Sequence, residues 1–89
     1  MPRIEKVLII KNKQGLHARP AALFVQIAEK YDSNIAVAKD DEEVNGKSIM
    51  GILMLGANHL SKIRLIIDGH DAEKAMCEFE EFLSRDIEG

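Results

Sequence analysis

The sequence predicts an α+β fold in which three helices cover one face of a four-stranded, mainly antiparallel sheet. Three observations lead to this fold class. Segments of β type and of helical type alternate along the 89 residues, two adjacent β-type segments flank a short turn, and a long amphipathic segment ends the chain. Elements of this number and kind pack most simply as two layers on one hydrophobic core. We therefore expect residues 1–89 to form a single domain.

The first half of the chain predicts a strand, a helix and a hairpin. Residues 3 to 10, RIEKVLII, are rich in branched apolar side chains and predict a largely buried strand. From Ala18 onwards, apolar residues recur three and four positions apart, as is typical of an amphipathic helix. The predicted buried stripe consists of Ala21, Phe24, Ala28 and Tyr31. The alternating IAVAKD, the acidic DEE and the returning EVNGKS then predict a hairpin with its turn at DEE.

The second half predicts a short helix, a strand and a long helix. Ser48 and Gly56 are suited to cap the two ends of the short helix. Residues 62 to 68, KIRLIID, predict a strand with its odd-numbered apolar residues on one face, and Asp71 is suited to cap the last helix. The apolar stripe of that helix consists of Ala72, Ala75, Met76, Phe79, Phe82 and Leu83. The element order is thus strand, helix, strand, strand, helix, strand, helix.

Composition and charge exclude several classes of function. With 12 basic and 15 acidic residues, the formal charge of −3 gives no basic surface for nucleic acid or anionic lipid, and aromatic residues make up only 4% of the chain. The single cysteine excludes an internal disulfide. The apolar run near the start is too short for a signal peptide, and no run is long enough to insert into a membrane. We expect a cytoplasmic protein with protein or small-molecule partners.

A histidine stands where the first helix is predicted to begin, in the segment NKQGLHARPAALF. A helix start presents unpaired N–H groups and a partial positive charge, which together favour a bound anion, above all phosphate. His17, at the predicted N-cap or one residue from it, places its ring near the N–H groups of Ala18 and Arg19. The positive helix end disfavours the imidazolium form, so we expect a neutral, nucleophilic ring.

Arg19 and Pro20 strengthen this interpretation. The Arg19 guanidinium offers a fork of donors that matches phosphate oxygens, and Pro20 fits the first helical turn because it has no N–H that would need an acceptor. A histidine at a helix start is more often an ordinary surface residue, but the combination H-A-R-P after a glycine turn is far more specific. The segment therefore predicts a histidine that accepts a phosphoryl group.

A phosphoryl carrier must be reached by donor and acceptor proteins, and the sequence predicts an exposed surface beside His17. On the first helix, Ala22 and Gln26 fall on the same face as Arg19. The segment SIMGILMLGA contains no charge, and a domain of this size cannot bury a short helix on all sides, so some of its apolar residues should be exposed. The residues predicted to dock partners are Ala22, Leu23, Gln26, Ile49, Met50 and Leu53.

Two segments of the chain resemble those of a known family. GLHARPAALFVQIA is similar to the active-site segment of the HPr family, the histidine-containing phosphocarrier proteins of the bacterial phosphoenolpyruvate-dependent phosphotransferase system. GKSIMGILMLGA is similar to the segment that contains the regulatory serine of that family. The resemblance covers nearly the whole chain and implies an HPr-like open-faced β-sandwich, in agreement with the element order. One departure is the absence of the glycine commonly found in the turn before the last strand.

The resemblance also implies a function. His17 would accept a phosphoryl group on Nδ1 from enzyme I and transfer it to enzyme IIA domains, with the assistance of Arg19, in sugar uptake or in the nitrogen-related branch of the same system. Ser48, besides capping its helix, would be phosphorylated by an ATP-dependent HPr kinase/phosphorylase. We expect a monomer that needs no cofactor and is a protein substrate of enzyme I rather than an enzyme.

Two other functions stay open at this point. His17 could be the nucleophile or base of a small phosphatase or phosphotransferase, although nothing near it in the sequence supplies a second acid or base. Alternatively, the chain could be a regulatory binding module in which His17 is never phosphorylated. The spacing of His17, His59 and His70 matches no common ligand pattern, so we expect no bound metal.

Overall fold

The computed structural model describes residues 2–85, and its elements follow the predicted order. They are β1 (Arg3–Ile9), α1 (Ala18–Glu29), β2 (Asn34–Lys39), β3 (Glu42–Asn45), α2 (Ile49–Leu55), β4 (Lys62–Asp68) and α3 (Ala72–Ser84). The predicted α+β class and the order βαββαβα are thereby confirmed. In the described part of the chain, no helix combines the length and apolarity that crossing a bilayer requires.

The four strands form one antiparallel sheet in the order β1-β4-β2-β3. The central strand β4 pairs with β1 on one side and with β2 on the other, so that Ile67 lies opposite Ile4 and Ile35. The buried face of β4 packs under the helices, and the opposite face of the sheet stays open. The open-faced, two-layer arrangement agrees with the prediction.

Aromatic side chains join the two long helices above the sheet. The ring centroids of Phe24 on α1 and Phe79 on α3 lie 4.5 Å apart, and Phe82 lies edge-on to Phe24 at 6.4 Å. Such pairs add about 0.5–1.5 kcal/mol each beyond the area that they bury. The apolar stripes predicted for α1 and α3 are buried. This packing fixes α1, and with it the start of the helix, relative to the rest of the domain.

The prediction that the first strand is largely buried is wrong. β1 lies at an edge of the sheet and pairs only with β4. Arg3, Glu5, Val7 and Ile9 are exposed, and the strand is only partly buried on its other side. A continuous apolar run indicates a buried strand where both faces of a sheet are covered. Here the helices cover only one face, so half of the run stays at the surface.

Two connections differ in detail from the expectation. The hairpin turns at Asp40 and Asp41, and Glu42 and Glu43 of the predicted turn are instead residues of β3. Between Gly56 and β4 the chain has no glycine, and Leu60 has a left-handed φ of 69°. For a residue with a side chain this conformation costs roughly 1–2 kcal/mol. The chain therefore keeps the turn that glycine would favour, at an energetic cost.

Asp71 occupies the N-cap position of α3, as predicted, but its side chain makes no capping hydrogen bond. Its carboxylate instead accepts hydrogen bonds from the N–H groups of Asp32 at 2.9 Å and Ser33 at 3.1 Å and from the Ser33 hydroxyl. These hydrogen bonds, foremost the one from the hydroxyl, hold the pKa of Asp71 below its ordinary value. Asp71 thus ties the loop between α1 and β2 to the start of α3.

We expect acid to weaken the fold partly through Asp71. Because its pKa is lower in the folded than in the unfolded chain, its contribution to stability is complete above the unfolded value of about 3.9 and is lost as the pH falls through the folded value. Asp71→Asn should be less stable at neutral pH and should lose less stability on acidification. Urea unfolding across this pH range measures both effects, with Asp41→Asn in the exposed turn as the control. Identical pH profiles for Asp71→Asn and the parent would contradict the prediction.

Candidate functional site

His17 is the N-cap residue of α1, as predicted. Its backbone is extended, with φ of −125° and ψ of 157°, and its side chain makes no capping hydrogen bond. The next residue, Ala18, enters the helix with a left-handed φ of 51°. The N–H groups of Ala18 and Arg19 have no hydrogen-bond acceptor among residues 2–85. These two N–H groups are therefore available to bind an anion.

The half-buried His17 ring is held at one of its two nitrogens. Nε2 lies 3.0 Å from Oδ1 of Asn58. Nδ1 makes no hydrogen bond with any residue that the structure describes. Nδ1 is thus the ring nitrogen that a reaction partner can approach.

Asn58 lies in the connection between α2 and β4, and the sequence does not predict a role for it. The loop before His17 packs directly on this connection. The Leu16 N–H donates to the Ala57 carbonyl at 2.8 Å. A Cβ atom on Gly15 would lie 2.5 Å from that carbonyl oxygen and 2.8 Å from the Cα of Asn58, and Gly15 also has a left-handed φ of 69°. Only glycine fits at this position without displacing the backbone of Asn58.

A second set of hydrogen bonds holds Asn58 from the other side. The Asn58 N–H donates to the Ser61 hydroxyl at 3.1 Å, and the Ser61 N–H donates to the Asn58 carbonyl at 3.0 Å. The same turn is joined to the end of β1, because the Ile10 N–H donates to the Ser61 carbonyl and the Leu60 N–H donates to the Ile10 carbonyl. The backbone of Asn58 is therefore restrained by hydrogen bonds within its own turn, and this turn is joined to Ile10.

Arg19 and Pro20 lie in the first turn of α1, as predicted. Pro20 is buried, whereas Arg19 is exposed. The Arg19 side chain makes no ion pair or hydrogen bond with the described residues. Its guanidinium is therefore available to a phosphate group or to a carboxylate of a partner protein.

An exposed apolar surface lies on α2, whose last turn leads to the connection that contains Asn58. Ile49, Met50, Leu53 and Met54 are 40%, 62%, 38% and 71% exposed, and we call these four residues the apolar patch. Ile52, on the opposite side of the helix, is fully buried. The prediction that α2 leaves part of its apolar side chains exposed is confirmed. An apolar surface of this kind is typical of a protein interaction site.

The other predicted docking residues, Ala22, Leu23 and Gln26, lie on α1, which packs against α2. Ala22 and Gln26 are exposed, whereas Leu23 is partly buried against the core. These three side chains carry no charge, and Ala22 is small.

Ser48 caps α2 as predicted. Its hydroxyl accepts a hydrogen bond from the Gly51 N–H at 3.0 Å, and at the other end of the helix Gly56 has a left-handed φ of 64°. The Ser48 side chain is only partly buried and precedes the first residue of the apolar patch, Ile49. A modification of the Ser48 hydroxyl would thus place its charge next to the patch.

The other two histidines lie apart from the site at His17. His59 is exposed in the turn before β4. Among residues 2–85, the group of side chains that could hold a metal ion consists of Asp32, His70 and Asp71, and it contains neither His17 nor His59. The site at His17 is therefore built from a ring, backbone N–H groups and a guanidinium.

The chain is similar to known proteins over most of its length. The family model described as PTS HPr component phosphorylation site matches residues 4–85. HPr-like protein Crh of Halalkalibacterium halodurans is 45% identical over 83 residues, which cover 93% of this chain and 99% of Crh.

Solved structures show the same likeness. Phosphocarrier protein HPr from Bacillus anthracis has a TM-score of 0.89 and 41% identity, with 91% of this chain and 96% of that chain covered. An HPr dimer from Thermoanaerobacter tengcongensis has a TM-score of 0.67 and 50% identity, with 82% and 90% of the two chains covered. At identities of 41% and 50%, these proteins are similar to the chain in sequence as well as in fold.

We expect Gly15→Ala to destabilise the domain more than Gly56→Ala does. Both positions have a left-handed φ, but a Cβ at Gly15 would overlap the backbone of Ala57 and Asn58, whereas a Cβ at Gly56 would have no atom within 4 Å. Gly56→Ala should therefore cost only the conformational strain of about 1–2 kcal/mol. Gly15→Ala should cost about 1–3 kcal/mol more, because the backbone must move. Equal free energies of unfolding in urea would contradict this.

Proposed function

The chain belongs to the HPr family of phosphocarrier proteins, and we propose that it accepts a phosphoryl group from phosphorylated enzyme I on Nδ1 of His17 and passes it to enzyme IIA domains. One observation carries this proposal. His17 stands at the start of α1 with Nε2 engaged by Asn58, Nδ1 open, and two N–H groups beside it unpaired within the described residues. A nucleophile beside backbone N–H groups that can bind an anion suits phosphoryl transfer.

In the proposed step, the lone pair of His17 Nδ1 attacks phosphorus. The bond between phosphorus and Nδ1 forms while the bond between phosphorus and the donor's leaving atom breaks, and that atom keeps the electron pair. The N–H groups of Ala18 and Arg19 bind phosphoryl oxygens, and the Arg19 guanidinium stabilises their charge. Transfer to an enzyme IIA domain is the same step in reverse, with the acceptor's nucleophile attacking phosphorus and Nδ1 leaving with the electron pair.

The openness of the site supports a protein substrate of enzyme I rather than an enzyme. A catalyst acting on small phosphorylated molecules would need a second acid or base and a means to exclude water. The residue that hydrogen-bonds the His17 ring in the described part of the chain is the neutral Asn58. Incubation with a phosphorylated small molecule alone should therefore give no turnover, and turnover without enzyme I would favour the enzyme.

The pathway and the assembly state belong to the same proposal. We assign the chain to sugar uptake in the cytoplasm, and the nitrogen-related branch is distinguished by testing transfer to an enzyme IIA of each branch.

We expect a monomer, although a similar HPr from Thermoanaerobacter tengcongensis is described as a dimer. Light scattering of the purified chain decides between the two states.

We expect His17→Ala to abolish phosphorylation while the domain stays folded. The mass of the protein after incubation with phosphoenolpyruvate, magnesium and enzyme I measures this, and the parent should gain one acid-labile phosphate. Arg19→Ala should slow transfer about 10- to 100-fold through the loss of charge-assisted hydrogen bonds. Arg64→Ala, which removes an exposed arginine paired with Glu5, is the control and should transfer normally. Normal phosphorylation of His17→Ala would refute the proposed acceptor.

We expect Met50→Glu to weaken partner binding much more than it weakens the fold. A carboxylate in the apolar patch must be desolvated when a partner docks, so the KM for enzyme I should rise at least about tenfold. The free energy of unfolding should change by less than about 0.5 kcal/mol, because the side chain is exposed. Val7→Glu is a matched control, since Val7 is also 62% exposed but lies on β1. A large loss of stability with unchanged KM would show that Met50 belongs to the core.

Phosphorylation of Ser48 is the regulatory part of the proposal. A phosphoserine carries about −1.5 to −2 charges, which the start of a helix tolerates. Because Ser48 precedes the apolar patch, the charge would oppose docking and leave the chemistry at His17 unchanged.

We expect Ser48→Asp to slow transfer from phosphorylated enzyme I without unfolding the domain. The slowing should appear as weaker association and should disappear at high enzyme I concentration, as stopped-flow measurements across that concentration would show. Ser48→Ala is the control: it removes the helix cap, at a cost of about 1 kcal/mol, but adds no charge and should transfer normally. Equal rates for Ser48→Asp and the parent at all concentrations would limit Ser48 to its role as a cap.

A further inference from the structure

We propose that Asn58 is a positioning residue, which holds the His17 ring in the tautomer with the proton on Nε2 and thereby leaves the lone pair of Nδ1 free for phosphorus. The inference deepens the proposed function and rests on it for its consequence in phosphoryl transfer. Its structural part, the state of the unphosphorylated ring, can be tested separately.

The first argument is the chemistry of the hydrogen bond. A neutral imidazole carries one proton, on either nitrogen, and the bond made by one nitrogen determines the state of the other. The atom of Asn58 that lies 3.0 Å from Nε2 is the carbonyl oxygen Oδ1, which can only accept a hydrogen bond. Nε2 must therefore be the donor, and Nδ1 is left without a proton.

The second argument is that Asn58 is itself fixed. The close approach of Gly15 to its Cα and the Leu16 hydrogen bond to Ala57 restrain it on the side of His17. The hydroxyl and the N–H of Ser61 restrain its backbone on the other side. The restrained backbone keeps the exposed Asn58 side chain within reach of the His17 ring, so its amide can orient the ring through the contact with Nε2.

The third argument is proton accounting during transfer. When Nδ1 attacks phosphorus, the proton on Nε2 stays where it is, and the ring becomes a phosphorylated imidazolium. Oδ1 of Asn58 accepts the same hydrogen bond before and after the step, and the bond strengthens when the donor becomes charged. With the proton on Nδ1 instead, that nitrogen would have no lone pair to offer until the proton had moved.

The test begins with the unphosphorylated protein. Long-range ¹H–¹⁵N NMR spectra of the histidine rings, recorded where the rings are neutral, report which nitrogen of His17 is protonated. We expect a protonated Nε2 and an unprotonated Nδ1 in the parent. In Asn58→Ala the ratio of the two tautomers should fall about fivefold, the equivalent of one hydrogen bond. Asn58→Asp, which keeps an acceptor in place, should retain the parent tautomer.

The exposed neighbour His59 provides the matched control. His59→Ala changes the adjacent side chain and leaves Asn58 intact, so it should not alter the His17 signals. An unprotonated Nε2 in the parent would show that the amide donates rather than accepts and would overturn the proposal. An unchanged tautomer ratio in folded Asn58→Ala would also overturn it.

Transfer kinetics complete the test. For Asn58→Ala we expect kcat for transfer from phosphorylated enzyme I to fall about fivefold with unchanged KM, and Asn58→Asp should keep a higher kcat than Asn58→Ala. A higher KM with unchanged kcat would assign Asn58 to partner binding and refute positioning. If the parent shows the expected tautomer but enzyme I does not phosphorylate it, the proposed function fails while the role of Asn58 in fixing the ring stands.

Discussion

The close contact between the loop before α1 and the connection after α2 is the constraint on which the functional end of this molecule depends. Gly15 brings the two backbones nearer than any side chain would allow, and the Leu16 hydrogen bond to Ala57 fixes their register. One backbone leads into His17, and the other carries Asn58. His17, the N–H groups that have no acceptor among residues 2–85, and helix α2 are thus held together by main-chain geometry, which does not depend on side-chain conformations.

This arrangement suits the proposed function, in which a phosphoryl group is first accepted by the protein and then transferred to another protein. A site that enclosed phosphate with several buried cations would bind it tightly and resist its release, because stabilisation of the bound state raises the barrier to the next step. Here the fixed part consists of N–H groups at a helix start, and the Arg19 side chain is exposed. In the proposed function, the exposed apolar patch supplies affinity for proteins separately from affinity for phosphate.

Much of the fold follows from local sequence patterns. The features that the sequence did not predict depend on parts of the chain that are far apart in sequence. The stripe that contains Phe24, the cap at Ser48 and the N-cap at His17 depend on residues within one or two helical turns, so the sequence predicts them correctly. The exposure of β1 depends on its place in the sheet, which its own residues do not specify. The contact of Asn58 with His17 could not be predicted from the sequence, because the two residues lie 41 positions apart and asparagine is common in turns.

The central place of β4 also determines when this molecule becomes competent during its synthesis. β2 can pair with β3, but β1 and β2 do not pair with each other, and only β4, from Lys62 to Asp68, joins them into one sheet. At ribosomal rates of about 5–20 residues per second, His17 is made about 2–8 s before Asn58. In the proposed phosphoryl relay, the acceptor ring of His17 is thus synthesised before the side chain that orients it.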